Sequence, residues 1–130
     1  MKDDSDPQVR ITVAKNVKHL PELKTGQLSW WCAPPDARPG DIVVVYKVQH
    51  GIQWVLKVQK LVEEEPPWCR LFGMRKAEVE ALCVGAKPIT FQQLKRNRVL
   101  SKTTPVRRSF QGGIFSLTEP ELQEVLRLLR

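Results

Sequence analysis

The alternation of apolar and polar residues predicts strands along much of the chain. Residues 9–13 (VRITV) alternate as a strand with one buried face does. Residues 42–46 (IVVVY) form a continuous, largely β-branched run, which is typical of a strand buried on both faces. His50-Gly51 indicates a bend, and residues 52–61 then form the returning strand of a predicted hairpin.

Shorter segments complete the predicted sheet. Residues 28–32 are rich in aromatic side chains and run into Pro34-Pro35, which cannot continue in a sheet. After a charged loop over residues 63–67, further strands are predicted at residues 68–72, 76–84 and 114–115. The pattern therefore predicts about six strands in all.

Helices are predicted between and after these strands. A short helix holds Leu20 and ends near Gly26, and a second begins at Thr90, which has the spacing of a capping box. At the C-terminus, Thr118 begins an amphipathic helix whose apolar residues fall at positions i, i+3, i+4 and i+7: Leu122, Val125, Leu126 and Leu129. With 130 residues the chain suits one domain, predicted over residues 9–130 after a flexible lead-in over residues 1–8. The predicted fold class is α+β, a mixed β-barrel with short helices.

Charge adds a feature that hydropathy does not show. The chain has 21 Lys+Arg and 14 Asp+Glu, a net charge of +7, and no acidic residue lies between Glu80 and Glu119. This acid-free segment would attract phosphates, although a solvated surface that keeps the protein soluble is the alternative. The predicted phosphate-binding residues are Lys95, Arg96, Arg98, Lys102, Arg107 and Arg108.

Several classes of protein are disfavoured. No apolar run is long enough to cross a membrane, and the polar, acidic N-terminus does not resemble a secretory signal. Cys32, Cys69 and Cys83 are odd in number and widely spaced, so we expect neither a disulfide framework nor a zinc site. Without a Gly-rich phosphate loop or a catalytic constellation, we expect no enzyme, no cofactor and no metal. A reduced, cytoplasmic protein is the resulting expectation.

The four tryptophans suggest what the protein binds. Trp30 and Trp31 are adjacent, so on a strand they point to opposite faces, and one can fill the core while the other lines a groove. Flat aromatic rings stack on nucleobases. The pair therefore has two interpretations, core packing and base binding, whereas Trp54 and Trp68 are expected in the core.

The order of several segments resembles the EVE domain of the PUA-like superfamily. The resemblance covers most of the chain, from about residue 9 to residue 129. It is carried by residues 28–31 (LSWW), 38–46 (RPGDIVVVY), 51–52 (GI), 87–95 (KPITFQQLK) and 110–118 (FQGGIFSLT).

This resemblance implies a PUA-like mixed barrel with a pocket that accepts a flipped, modified base of DNA or RNA. By position, the base pocket would contain Ser29, Trp30 and Trp31, with Tyr46 near its floor. The resemblance also suggests a separate nuclease or other effector as a partner. Two alternatives stay open: an RNA-binding module without preference for modification, and a protein-interaction or regulatory subunit.

Overall fold

The computed structural model describes residues 6–63, 66–70 and 73–130. Residues 1–5 of the predicted lead-in lie outside these ranges, and the backbone N–H of Gln8 donates to Asp41 Oδ1 at 3.1 Å. The strands are β1 (Val9–Ala14), β2 (Leu28–Ala33), β3 (Ile42–Lys47), β4 (Gly51–Leu61), β5 (Arg75–Ile89) and β6 (Ile114–Leu117). The helices are α1 (Pro67–Arg70), α2 (Phe91–Arg96), α3 (Thr104–Arg107) and α4 (Glu119–Leu129), with 3₁₀ turns at Leu20–Glu22 and Leu100–Lys102.

The strands form one six-stranded mixed sheet in the order β2-β5-β4-β3-β1-β6. β1 and β3 are parallel, and the other neighbouring pairs are antiparallel. The predicted fold class is confirmed, with its short helices and C-terminal helix, but the sheet does not close into a full barrel. β2 and β6 are therefore the two edge strands.

The two faces of the sheet carry two separate cores, because neighbouring residues of a strand point to opposite faces. In β3, Ile42, Val44 and Tyr46 pack in one core, and Val43 and Val45 pack in the other. The first, here called the helix-packed core, receives apolar residues of α2, α3 and α4. The second, the inner core, lies on the concave side of the sheet and includes two of the tryptophans, Trp31 and Trp54.

The long β4–β5 hairpin gives the sheet its curvature. Its register shifts at three places, between Ile52 and Trp54, between Val55 and Leu56, and between Val58 and Lys60. Such bulges bend a strand and increase its twist. β1 and β2 do not pair with each other, yet residues of both strands line one cleft.

Both predicted capping boxes are present. The Thr90 hydroxyl accepts from Gln93 N and the Gln93 side chain accepts from Thr90 N, and Thr118 and Glu121 repeat the arrangement at the start of α4. The local sequence therefore sets where α2 and α4 begin.

The strand predicted over residues 68–72 is wrong. Pro67 to Arg70 form the short helix α1, and residues 71–72 lie outside the described residues. Proline is favoured in the first turn of a helix, since its φ is already helical and its missing N–H has no partner there. The Pro66-Pro67 pair, which we assigned to a loop, in fact begins a helix.

The expectation of reduced cysteines is also wrong for two of the three. Cys32 at the end of β2 and Cys69 in α1 form a disulfide, and Cys83 is a buried free thiol. Cysteine spacing alone could not reveal this pair, because β2 and α1 meet only in the folded chain. Disulfides are rare in reducing compartments, so the prediction of a cytoplasmic location loses its support from the cysteines. No helix within the described ranges is long and apolar enough to cross a membrane.

Candidate nucleic-acid interface

Four aromatic rings meet at the exposed edge of β2. The ring centroids of Trp30 and Trp31 lie 6.5 Å apart, and Trp68 meets both edge-on at 6.1 and 5.0 Å. The His19 ring lies 4.8 Å from Trp30. We call His19, Trp30, Trp31 and Trp68 the aromatic cluster.

Three separate segments of the chain position this cluster. In β2, Trp31 is 2% exposed and belongs to the inner core, whereas Trp30 is half-buried. His19 Nε2 lies 3.0 Å from the carbonyl oxygen of Trp30, which fixes the imidazole beside the strand. Trp68 is held from the other side because the neighbouring Cys69 is bonded to Cys32 of β2.

The other expectations for the tryptophans have different outcomes. Trp54 is in the core as predicted, with its indole N–H donating to the carbonyl oxygen of Leu20 at 2.9 Å. Trp68 packs against the inner core as a half-buried side chain and is at the same time a member of the cluster. The pattern missed this because it assigned Trp68 to a strand.

A narrow cleft opens beside the cluster, where β1 and β2 face each other. β1 contributes Thr12 and Ala14, β2 contributes Trp31 and Cys32, and α1 contributes Trp68. The cavity has a volume of about 70 Å³. This is well below the roughly 300 Å³ at which pockets for small molecules begin, so the cleft must widen before it admits a whole base.

Lysines surround the cluster and the cleft. Lys18 Nζ lies 5.1 Å from the ring centroid of Trp68, and Lys76 Nζ lies 5.2 Å from that of Trp30. Both distances allow cation–π attraction. The exposed Lys15 lines the cleft mouth. The sequence analysis did not select these lysines, because acidic residues elsewhere in the chain balance their charge. Their position shortly after a predicted strand, at residues 15 and 18, was the one available signal.

Two predicted pocket residues have separate positions. Ser29 is half-buried in β2 next to Trp30, so it lies on the same strand as the cluster. Tyr46 lies in the helix-packed core, where its ring stacks on Phe110 with 3.6 Å between centroids, and burial raises the pKa of its hydroxyl. The structure therefore does not bring Tyr46 together with the tryptophans.

The predicted phosphate-binding residues lie on the helical side of the sheet. All six are exposed, on α2, on α3 and on the turns next to them: Lys95, Arg96, Arg98, Lys102, Arg107 and Arg108. We call residues 95–108 the basic segment. The buried side chains of Leu94, Leu100 and Val106 anchor it in the helix-packed core. Arg107 and Arg108 border an open depression of about 200 Å³.

The basic segment returns to the cleft at its C-terminal end. The backbone N–H of Val13, which lines the cleft, donates to the carbonyl oxygen of Gly113 at 3.1 Å. Five residues span at most about 18 Å, so Arg108 lies within that distance of Gly113.

A metal centre has no basis among the described residues, which contain no group of three or more His, Cys, Asp or Glu able to hold an ion. The aromatic rings, polar side chains and lysines of this site can stack on a flat ligand, form hydrogen bonds and attract anions.

No protein-family model and no curated protein matches the sequence. The fold does match solved structures. A hypothetical protein from Leishmania major has a TM-score of 0.66 at 14% identity, covering 97% of this chain and 96% of that chain. A protein from Pseudomonas syringae has a TM-score of 0.67 at 10% identity, covering 94% of this chain and 99% of that chain.

An ASCH protein from Zymomonas mobilis also matches, with a TM-score of 0.54 at 14% identity over 96% of this chain and 98% of that chain. Identities this low show the fold alone. The chain therefore shares the fold of these structures, an ASCH protein among them, and membership of the EVE family is not confirmed.

Proposed function

We propose that this protein is a non-enzymatic nucleic-acid-binding domain that holds one unstacked base against the aromatic cluster. The observation that carries the proposal is the contact of Trp30 with Trp31 and Trp68, two tryptophans that themselves line a cleft. Lys15 lines the same cleft, and Lys18 lies over the Trp68 ring. Aromatic faces combined with cations are the arrangement that binds single strands.

Stacking supplies the affinity for the base. It contributes about 1–3 kcal/mol per base, which corresponds to roughly 5- to 150-fold in affinity. The cleft is too narrow for a base, so Trp68 has to move outward or the base lies at the mouth against Trp30. Changes of side-chain rotamer on binding are common, and Trp68 is half-buried on a helix of only four residues.

Phosphate contacts supply the salt-dependent part of binding. Lys15 and Lys18 lie beside the base site, and the basic residues up to Arg108 lie on the helical side of the sheet, where they would hold more distant phosphates. Each phosphate neutralised on a single strand adds about −0.7 to the slope of log K against log salt.

The EVE resemblance extends the proposal to a modified base. A methyl group buried in the cleft adds about 0.8 kcal/mol, equivalent to roughly fourfold tighter binding than the unmodified base. In this proposal a separate nuclease or other effector acts on the bound nucleic acid, because the domain itself performs no chemistry.

A second candidate is an RNA-binding domain that ignores modification. The narrowness of the cleft favours it, since a volume of about 70 Å³ leaves little room for an added methyl group. The fold shared with the ASCH protein supports RNA as the ligand by analogy only.

Fluorescence anisotropy of labelled single strands tests both candidates. Short RNA and DNA oligonucleotides, with and without one methylated base, are titrated with the wild type, Trp30→Ala and Trp68→Ala. Leu28→Ala is the matched control, because Leu28 lies on the same strand and is 64% exposed. We expect the two tryptophan variants to bind at least about fivefold more weakly and the control to bind as the wild type does.

The outcomes separate the candidates. If the protein binds the methylated oligonucleotide about fourfold more tightly than the unmethylated one, the modified-base reader is supported. If the two oligonucleotides bind equally well and Trp30→Ala weakens both, the general RNA-binding domain is supported. Binding that neither tryptophan variant weakens contradicts both.

A further inference from the structure

Thr12 occupies an unusual position inside the cleft. It lies in β1, is 1% exposed, and lines the cleft together with Trp31 and Trp68. Its neighbours Ile11 and Val13 pack with the helix-packed core, so the Thr12 side chain points to the opposite, concave face. The alternating sequence pattern placed Thr12 on the polar face of a half-buried strand, but the curvature of the sheet buries that face as well.

The Thr12 hydroxyl has no hydrogen-bond partner. Among the described residues one other buried side-chain atom, Arg75 Nε, lacks a partner, and Arg75 does not line the cleft. The two further polar residues classed as buried are both paired. Asp41 accepts from the backbone N–H groups of Gln8 and Arg38, and the Thr103 hydroxyl donates to the carbonyl oxygen of Leu100 at 2.6 Å. A buried hydroxyl left unpaired is unfavourable, and because this one lines the cleft, a group that enters the cleft can supply its partner.

We infer that Thr12 Oγ1 reads the hydrogen-bonding edge of a pyrimidine inserted between β1 and β2, an inference that rests on the proposed function. A hydroxyl donates one hydrogen bond and accepts others, so it can meet either a carbonyl or an amino group on the base. The cleft has to widen for any base, and it needs to widen less for a single-ring pyrimidine than for the larger purine. Stacking in the aromatic cluster supplies affinity for any base, and Thr12 supplies the selection for a polar edge.

The test separates hydrogen bonding from stacking. The probes are labelled five-nucleotide DNA oligomers that carry abasic sugars except at the centre. The central residue is thymine or 2,4-difluorotoluene, which has the shape of thymine but forms hydrogen bonds poorly. We expect the wild type to bind the thymine probe about tenfold more tightly, because a site built for hydrogen bonding rejects an analogue that cannot form the bond.

Variants assign this preference to Thr12. Thr12→Val, which keeps the shape and removes the hydroxyl, is expected to bring the affinity ratio close to one, and Thr12→Ser is expected to retain it. Thr103→Val is the matched control, because it removes a buried hydroxyl that already has a partner. It should lower the melting temperature and leave the ratio unchanged. If Thr12→Val does not fold, Thr12→Ala is measured in its place.

Each result bears on a stated claim. Equal affinity of the wild type for the two probes overturns the inference, as does a tenfold ratio that persists in Thr12→Val. Tighter binding of a probe with a central adenine contradicts the assignment of a pyrimidine. If the wild type binds longer oligonucleotides but neither pentamer, the inference is overturned and the proposed function stands. If it binds no oligonucleotide of either length, the proposed function fails together with the inference.

Discussion

Reduction of the Cys32–Cys69 disulfide should both destabilise the protein and release one wall of the aromatic cluster. The bond joins β2 to α1, and Trp68 precedes Cys69 directly in the sequence. A dithiol such as dithiothreitol supplies two electrons and two protons, the S–S bond becomes two thiols, and the reagent closes to a cyclic disulfide.

The separation of the two cysteines sets the size of the effect. They are 37 residues apart. The chain-entropy relation gives about 4 kcal/mol for a loop of this length at 25 °C, as the upper end of what reduction removes from the free energy of unfolding. For a domain of this size such a loss lowers the melting temperature by roughly 10–20 °C.

Urea unfolding with and without reductant measures this difference, with tryptophan fluorescence as the signal. Cys32→Ala/Cys69→Ala should unfold at a lower urea concentration and no longer respond to the reductant. Cys83→Ala is the matched control, because Cys83 is a buried free thiol, and this variant should respond as the wild type does.

Binding should follow the same change. Once Trp68 is no longer tied to β2, we expect the reduced protein to bind single strands more weakly. The loss of affinity should not exceed that of Trp68→Ala, which is expected to be at least about fivefold. An unfolding free energy that reductant does not alter would show that the disulfide does not stabilise the protein. Free thiols at Cys32 and Cys69 in the protein purified without reductant would refute the reasoning.

Three further predictions concern charge, pH and the backbone. Lys18→Ala should make the slope of log K against log salt less negative by about 0.7 if Lys18 contacts one phosphate, which titrations at several salt concentrations measure. Hydrogen bonds from Arg127 and Asn97 lower the pKa of Glu124 from 4.5 to about 2. The ionised Glu124 should therefore stabilise the folded protein above about pH 4.5, and this contribution should be lost as the pH falls toward 2. The NMR shift of the Glu124 carboxyl carbon follows this titration. Gly51→Ala should lower the melting temperature clearly more than Ala at Gly113, because Gly51 has a φ of +125° and an added Cβ would lie 2.1 Å from a backbone oxygen.

The parts of the fold that were predictable are those that local sequence decides. The β3–β4 hairpin follows from an apolar run and a bend, and α2 and α4 begin at capping residues, Thr90 and Thr118, that act over three positions. Such signals are contained within a few residues. They need no knowledge of which segments meet.

The candidate site was only partly predictable because three distant segments assemble it. Trp30 and Trp31 were candidates from the start, but Trp68 joins them through a helix and a disulfide that no local pattern encodes. The burial of Thr12 depends in the same way on the curvature of the whole sheet. Tyr46 was assigned to the pocket by resemblance, and the pleat of β3 directs it to the other face.

The most direct test of the central claim is an NMR titration that follows the four tryptophan indole N–H signals of the ¹⁵N-labelled protein as a short single-stranded oligonucleotide is added. We expect the signals of Trp30, Trp31 and Trp68 to shift with the same saturation curve. The Trp54 signal should stay in place, because its N–H is bonded to Leu20 inside the core. Saturable binding that leaves all three cluster signals unmoved would contradict the account.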